Sequence, residues 1–215
     1  TMQKSPKIAV ITNLSPNHLD FHKDYREYID AKKNIMLHQH SGDVLIVNAS
    51  NAETKKIGSE AKGICKDFSS KEKAYVCLEN GIITRGGHPV LDTKDIKIPG
   101  MHNVENYMAA IAAVDGLVDD DVIAGIAKSF GGVEHRIEFV RSVNGVRYYN
   151  SSIDSSPNRT INTLRVFKDK VILIAGGKDK GISYAPLGPV VNDHVKYEGR
   201  VLEDGFVMAS LANGL

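Results

Sequence analysis

Residues 7–20, with the sequence KIAVITNLSPNHLD, decide the fold of this chain. The apolar run in residues 7–13 predicts a buried β-strand, and the polar residues that follow predict a turn at its carboxyl end. Residues 44–48 and 170–175 predict buried strands of the same kind, with helical patterns between them. This alternation predicts an α/β fold, in which ligands bind beyond the carboxyl ends of the parallel strands.

The segments between these strands predict helices and short antiparallel strands. Asp24 is the expected N-cap of a helix over residues 25–38. Asn144-Gly145 is the strongest hairpin signal of the chain. The other predicted elements are strands at 74–78, 81–84, 94–98, 137–142 and 146–149, and helices at 103–117, 120–128 and 157–167.

The glycine pair Gly131-Gly132 predicts a domain boundary. We expect one domain over residues 1–132 and a second over residues 133–215. Because residues 197–215 do not continue the strand–helix alternation, they are expected to form an atypical tail.

Composition excludes several classes of function. Lys and Arg total 27 against 26 Asp and Glu, so the net charge of +1 offers no electrostatic footprint for nucleic acid. The longest apolar runs have the length of strands and are too short to span a bilayer. Cys65 and Cys77 lack metal-ligand spacing and are expected to be reduced thiols. We therefore expect a cytoplasmic protein with neither nucleic-acid nor membrane partners.

Three polar clusters are candidates for chemistry. His18 and Asp20 follow a buried strand, where they can reach a metal ion or a phosphate; the alternative is that His18 caps the next helix or only packs. Lys32 lies in the segment DAKK, which is also typical of a solvated helix face. Residues 175–181, AGGKDKG, suit an anion site or an ordinary turn, but they are not a Walker A loop.

Taken together and in order, six segments resemble the Mur ligases over roughly residues 5 to 195. They are 13–20 (NLSPNHLD), 30–34 (DAKKN), 98–106 (IPGMHNVEN), 133–138 (VEHRIE), 149–160 (YNSSIDSSPNRT) and 176–180 (GGKDK). The resemblance implies part of the family's central ATPase domain followed by a partial Rossmann-like C-terminal domain. The branch that it favours adds D-glutamate to UDP-N-acetylmuramoyl-L-alanine through an acyl phosphate, with ATP and Mg²⁺ as cofactors, in peptidoglycan synthesis.

The resemblance also implies roles for residues of the first domain. His18 matches a ligand of the second magnesium ion, and Lys32 matches a lysine that becomes carbamylated and binds the same metal, so these two are the expected catalytic residues. Asn103 and Asn106 match positions that hold the adenine end of ATP.

In the second domain, Arg136 matches an arginine that reaches the ATP phosphates. Ser151 is also expected to contact ATP, at a position where many relatives have an aspartate that contacts the nucleotide, and Asp154 is an alternative source of that carboxylate. D-glutamate is expected to contact Ser152, Arg159 and Lys180, where Arg159 takes a positive role that other branches give to a lysine at the position of Ile153.

One element of the family pattern is missing from the sequence. No GxxGK[ST] loop occurs, so the expected cradle for the β- and γ-phosphates is absent. We therefore expect a fragment that is inactive alone. The alternatives are a sister Mur or folylpolyglutamate ligase and a non-catalytic remnant that binds a nucleotide. An unrelated dehydrogenase is disfavoured because no GxGxxG follows a strand.

Overall fold

The computed structural model describes residues 3–16, 22–177, 183–200 and 212–213. The chain divides into two compact units, Thr1–Phe130 and Gly131–Leu215. This division lies two residues before the boundary that the glycine pair predicts.

The first unit begins with alternating strands and helices, continues with four consecutive strands and ends in two consecutive helices. Its elements are β1 (Ile8–Ile11), α1 (Tyr25–Lys33), β2 (Val44–Asn48), α2 (Ala52–Gly58), β3 (Ile64–Ser69), β4 (Val76–Glu79), β5 (Ile82–Arg85), β6 (His88–Asp92), a 3-10 turn (Thr93–Asp95), α3 (Met101–Ala113) and α4 (Asp120–Ser129).

The six strands form one sheet in chain order. The pairs β1–β2, β2–β3 and β3–β4 are parallel, whereas β4–β5 and β5–β6 are antiparallel. The turns Asn80-Gly81 and Gly86-Gly87 have positive φ at both residues, which matches the twist of two-residue hairpins. The predicted antiparallel strands are thus continuous with the parallel sheet.

Helices cover both faces of this sheet. Leu45 and Ile46 point to opposite faces of β2 and are both fully buried. One core joins Leu45 to α1 and α2 through Tyr28 and Ile57. The other core joins Ile46 to α3, where Met108 is fully buried. The result is a three-layer arrangement, which confirms the predicted α/β class.

The ends of several elements differ from the sequence prediction. The predicted strand at 94–98 is wrong: the chain forms β6 earlier and then a 3-10 turn. The helix expected over residues 25–38 ends at Lys33, and tight turns follow, with the amide of Met36 donating to the Lys33 carbonyl. Burial of Met36 and Gln39 fixes these turns. The elements α2 and β3 were not predicted.

An ion-pair network ties three parts of the first unit together around Asp115. Its carboxylate accepts from Lys66 Nζ on β3 at 2.6 Å and from the Tyr75 hydroxyl at 2.5 Å. Arg85 Nε at the end of β5 lies 3.1 Å from the same carboxylate, and Arg85 also pairs with Asp120 of α4. The hydrogen bonds from Lys66 and Tyr75 hold the pKa of the Asp115 carboxyl below its usual range.

The second unit contains a hairpin and a parallel strand–helix–strand unit. Its elements are β7 (Glu138–Val143), β8 (Val146–Asn150), α5 (Pro157–Leu164), β9 (Val171–Ala175), α6 (Leu187–His194), β10 (Val195–Arg200) and β11 (Ala212–Asn213). The hairpin β7–β8 turns at Asn144-Gly145, as predicted, and β11 pairs with β8. Apolar side chains of α5, β9 and α6 form the core.

The parallel pair β9–β10 differs from the expectation of an atypical tail over residues 197–215. The backbone continues the strand–helix–strand pattern through Arg200. The strand has the sequence VKYEGR, and because it contains several polar residues, a search for runs of apolar residues does not predict it.

Candidate functional site

The loops that follow β1, β2 and β3 are joined by hydrogen bonds at the carboxyl edge of the parallel strands. Asn51 Nδ2 donates to Asn13 Oδ1 at 2.6 Å and to the Leu14 carbonyl at 2.9 Å. The hydroxyls of Ser50 and Ser69 are 2.6 Å apart. The two bonds from Asn51 fix the loop that follows β1, at the edge where ligands bind in open α/β sheets.

Lys32 is exposed on α1, and its side chain extends toward Tyr28, one turn earlier in the same helix. Its Nζ is 5.5 Å from the centre of the Tyr28 ring. That ring in turn contacts His22, with 5.5 Å between ring centres. None of the ion pairs in the described part of the chain includes Lys32, whereas its neighbour Lys33 pairs with Glu60.

The other half of the expected metal site lies outside the described residues, because His18 falls in the gap between residues 16 and 22. Within the described ranges, His, Cys, Asp and Glu side chains form no group of three that could hold a metal ion. The metal prediction for His18 and Lys32 therefore remains a prediction.

Asn103 and Asn106 lie together at the start of α3. Gly100 precedes the helix with a φ of 102°, a conformation that side chains disfavour. Asn103 is buried, and its Nδ2 donates to the Pro99 carbonyl at 2.7 Å. Asn106 is exposed and donates to Asn103 Oδ1 at 3.4 Å. The buried amide thus anchors the helix start, and the exposed amide can contact a ligand.

A neighbouring carboxylate on α3 was not predicted from the sequence. Glu105 accepts from the Ser70 hydroxyl at 2.6 Å, which links the helix to the loop after β3. The fold brings these two residues together, and no spacing signal in the sequence pairs them.

Within the second unit, the segment that carries Arg136 packs against the loop after β8. The residues on either side of Arg136 have positive φ, 63° at His135 and 51° at Ile137. The Ile137 amide donates to Ser151 Oγ at 3.2 Å, and the Ile153 amide donates to the His135 carbonyl at 3.3 Å. Strained backbone of this kind is common at functional sites.

Ser151 is buried and does not face solvent as a ligand-binding side chain would. It is 1% exposed, and its hydroxyl donates to Asp154 Oδ2 at 2.9 Å. Ser152 is half-buried, and its amide donates to Asn150 Oδ1. The predicted pair Ser151 and Asp154 is therefore brought together, with the carboxylate buried beside the hydroxyl.

The remaining predicted residues of the second unit differ in what can be described. Arg159 is exposed on α5, where its Nη1 lies 3.4 Å from the Ile153 carbonyl oxygen. Lys180 lies outside the described residues, in the gap between residues 177 and 183.

None of the helices in the part that the structure describes combines the length and apolar character that crossing a membrane requires.

Comparison with known proteins identifies one family. The family model for the Mur ligase middle domain matches residues 1–114. The chain is 51% identical over 206 residues to the UDP-N-acetylmuramoylalanine–D-glutamate ligase of Ruminiclostridium cellulolyticum, a match that covers 91% of this chain and 43% of that protein. The corresponding ligase of Acetivibrio thermocellus is 53% identical over 202 residues, with the same coverage. The chain thus spans less than half the length of these relatives.

Solved structures share the fold at low sequence identity. The MurF ligase from Thermotoga maritima in complex with ADP superposes with a TM-score of 0.74 at 17% identity, covering 93% of this chain and 49% of that one. UDP-N-acetylmuramate-alanine ligase MurC from the same organism gives 0.63 at 19% identity, covering 92% and 51%. These matches confirm the predicted α/β fold class.

Proposed function

Because this chain belongs to the Mur ligase family, we propose that it forms part of an ATP-dependent ligase that joins D-glutamate to UDP-N-acetylmuramoyl-L-alanine. The observation that carries the proposal is the identity of 51% and 53% to two D-glutamate ligases over 91% of the chain. By contrast, the MurF and MurC ligases share the fold at only 17–19% identity. The free thiols Cys65 and Cys77 support a reducing, cytoplasmic setting.

We assign the adenine end of ATP to the start of α3. The exposed side chain of Asn106 offers an amide donor and acceptor of the kind that reads a base edge. Asn103 supports it from below through its bonds to Pro99 and Asn106. The ADP complex of a structural neighbour supports nucleotide binding by this fold.

The ATP phosphates and the amino acid are assigned to residues of the second unit. Arg136 would pair with phosphate oxygens, for which a guanidinium is the best-matched side chain. Arg159 and Ser152, with Lys180 from outside the described residues, would bind the D-glutamate carboxylates. Burial of Ser151 favours a supporting position for it over direct contact with the nucleotide.

Residues for a magnesium site fit in part. Lys32 is exposed and free of carboxylate partners among the described residues, so carbon dioxide can reach its amine and convert it into an oxygen ligand. With His18 it would hold Mg²⁺, which neutralises phosphate charge when bound.

The reaction couples two exchanges of bonds. A substrate carboxylate oxygen bonds to the γ-phosphorus of ATP as the bond to ADP breaks, and the resulting acyl phosphate is attacked by the amine of D-glutamate. Phosphate then leaves and the nitrogen loses a proton. For this chain the expected contribution is alignment and charge: Arg136 toward phosphate, and Arg159 toward the carboxylates that bring the amine into line.

The proposal is tested with a chimaera of the Ruminiclostridium cellulolyticum ligase in which this chain replaces the matching 206-residue region and the rest of that ligase is kept. Phosphate release would be measured with ATP, Mg²⁺ and UDP-N-acetylmuramoyl-L-alanine, comparing D-glutamate with L-alanine, L-lysine and meso-diaminopimelate. Release with D-glutamate alone supports the assignment. Release with another amino acid would place the chain with a sister ligase, and a folded chimaera silent with all four would favour a non-catalytic nucleotide-binding role.

The role of Lys32 is testable in the chain itself. After incubation with ¹³C-bicarbonate, a carbamate carbon signal should appear in the NMR spectrum and be lost in Lys32→Arg. The matched control is Lys33→Arg. Because Lys33 pairs with Glu60 and should not be modified, this variant should keep the carbamate signal. A carbamate signal that persists in Lys32→Arg would contradict the assignment.

A further inference from the structure

A buried hydrogen-bonded triad joins the loop after β8 to helix α5. The hydroxyls of Ser151 and Thr163 both donate to Asp154 Oδ2, at 2.9 Å and 2.5 Å. The three residues are only 1%, 4% and 4% exposed for Ser151, Asp154 and Thr163. A carboxylate this buried is tolerated because hydroxyl donors replace the water that it loses.

The triad sets the direction of one hydroxyl. A serine hydroxyl has a single hydrogen and two lone pairs. Because the hydrogen of Ser151 is committed to Asp154, the oxygen presents a lone pair to the Ile137 amide, 3.2 Å away. The carboxylate of Asp154 therefore orients the acceptor of the Ile137 hydrogen bond without contacting Ile137 itself.

That bond holds a backbone segment in a conformation that it would not keep alone. Ile137 has a φ of 51°, and a β-branched residue is a genuine outlier in the left-handed region. His135 is also left-handed, and its carbonyl accepts from the Ile153 amide in the same loop. Arg136 lies between these two residues, so the direction in which its side chain leaves the backbone depends on both bonds.

We propose that Ser151, Asp154 and Thr163 are positioning residues that fix the backbone on either side of Arg136 and so hold its guanidinium ready for the phosphates of a nucleoside triphosphate. The ligand in this statement rests on the function proposed above for Arg136. The fixing of the backbone rests on the triad and the two left-handed residues alone.

A purely structural role gives a different expectation. If the triad only fastened α5 to the unit, breaking it would lower the stability of the whole second unit, and all of its amides would exchange faster together. If it positions Arg136, the Ile137 amide should respond alone, because amide exchange reports local opening.

The test is amide hydrogen exchange by NMR on the full chain and four variants. Ser151→Ala removes the acceptor of the Ile137 amide, and Asp154→Ala removes the group that orients it. The double variant Ser151→Asp/Asp154→Ser exchanges the two groups, so a carboxylate accepts from the Ile137 amide and a hydroxyl at position 154 donates to it. Asn162→Ala, at an exposed position of α5, is the control.

We expect the Ile137 amide to exchange at least about tenfold faster in Ser151→Ala and in Asp154→Ala, with amides of β9 changing less than about twofold. The exchanged pair should restore slow exchange at Ile137, and Asn162→Ala should match the wild type. Unchanged exchange at Ile137 in Ser151→Ala, or an equal rise throughout β9, would overturn the proposal.

The ligand is tested separately in the chimaera described above, which supplies the phosphate loop missing from this sequence, by following the Nε–Hε resonance of Arg136 during titration with Mg²⁺-ATP. A wild-type shift that weakens in Ser151→Ala and returns in the exchanged pair supports positioning for phosphate. An Arg136 resonance that does not shift with ATP in the wild type would refute the phosphate role of Arg136. The amide exchange rates of Ile137 would still test whether the triad fixes the backbone.

Discussion

Removing the Asp115 carboxylate should destabilise the first unit more than any ordinary surface substitution. In Asp115→Ala, Lys66 and the Tyr75 hydroxyl lose an acceptor at 2.6 and 2.5 Å, and Arg85 loses one at 3.1 Å. The Asp115 and Lys66 side chains are only 18% and 20% exposed, so water replaces the lost bonds incompletely. Bonds to charged groups contribute about 1.5–3 kcal/mol each, and breaking a buried pair costs about 3–5 kcal/mol.

Because this network still reaches solvent, we expect a loss at the lower end of that range, about 3 kcal/mol. Urea unfolding would measure it, and with a slope of about 1–3 kcal/mol per molar the midpoint should fall by about 1–3 M. The control is Asp30→Ala, which removes the same charge from an exposed helix position and should change stability by less than about 0.5 kcal/mol. Equal midpoints for the two variants would refute the reasoning.

The same carboxyl predicts a pH dependence. Its folded pKa is lowered, so its stabilising contribution is present above the unfolded pKa of about 4 and is lost as the pH falls through the lower folded value. The stability gap between wild type and Asp115→Asn should be constant from about pH 7 to 5 and narrow below about pH 4. If the stability difference between wild type and Asp115→Asn widened as the pH fell, the Asp115 pKa would be raised rather than lowered by folding.

Two further substitutions test local packing. Gly63→Ala would place a Cβ 2.2 Å from the Asp43 carbonyl oxygen and 2.6 Å from that of His40, so the backbone must move. We therefore expect the free energy of unfolding in urea to fall by about 1–3 kcal/mol. An unchanged free energy of unfolding would mean that this turn is not rigid. Asn103→Ala removes the 2.7 Å bond to the Pro99 carbonyl, and the first amides of α3 should exchange about tenfold faster while the rest of the helix is unaffected; unchanged exchange there would show that Asn103 does not anchor the helix.

Some elements were predictable because burial leaves a mark in the sequence. The run VLIV of β2 is buried on both faces, and such strands are continuously apolar. Asn144-Gly145 predicted a hairpin because both residues accept positive φ. In each case the local chemistry has one favourable outcome.

Other elements were missed because tertiary contacts decide them. β6 begins HPV, and Pro89 argues against a strand in isolation, yet β6 is the last strand of its sheet, where proline is tolerated. Helix α2 is short and largely polar, and Asn51 caps it through the Thr54 amide. Sheet pairing stabilises β6 and packing stabilises α2, although neither local sequence favours its element strongly.

The candidate site shows the same division. Asn103 and Asn106 were predicted from a motif, and the structure places them together on α3. Thr163 was not predicted, because its spacing from Asp154 in the sequence gives no sign that α5 places the Thr163 hydroxyl within hydrogen-bond distance of the Asp154 carboxylate. Asn103 and Asn106 are three residues apart and could be found from the sequence, whereas the contact between Thr163 and Asp154 is defined by the fold.

The two-residue turns of the first sheet imply an order of assembly. The turns at Asn80-Gly81 and Gly86-Gly87 join neighbouring strands, and hairpins of this kind close in about 1–10 μs. The parallel pairs β1–β2 and β2–β3 can form only after α1 and α2 have bridged their strands, and such non-local pairing is slow. The hairpins β4–β6 therefore offer an early template, and the parallel strands β1–β3 are the last part of the sheet to be completed.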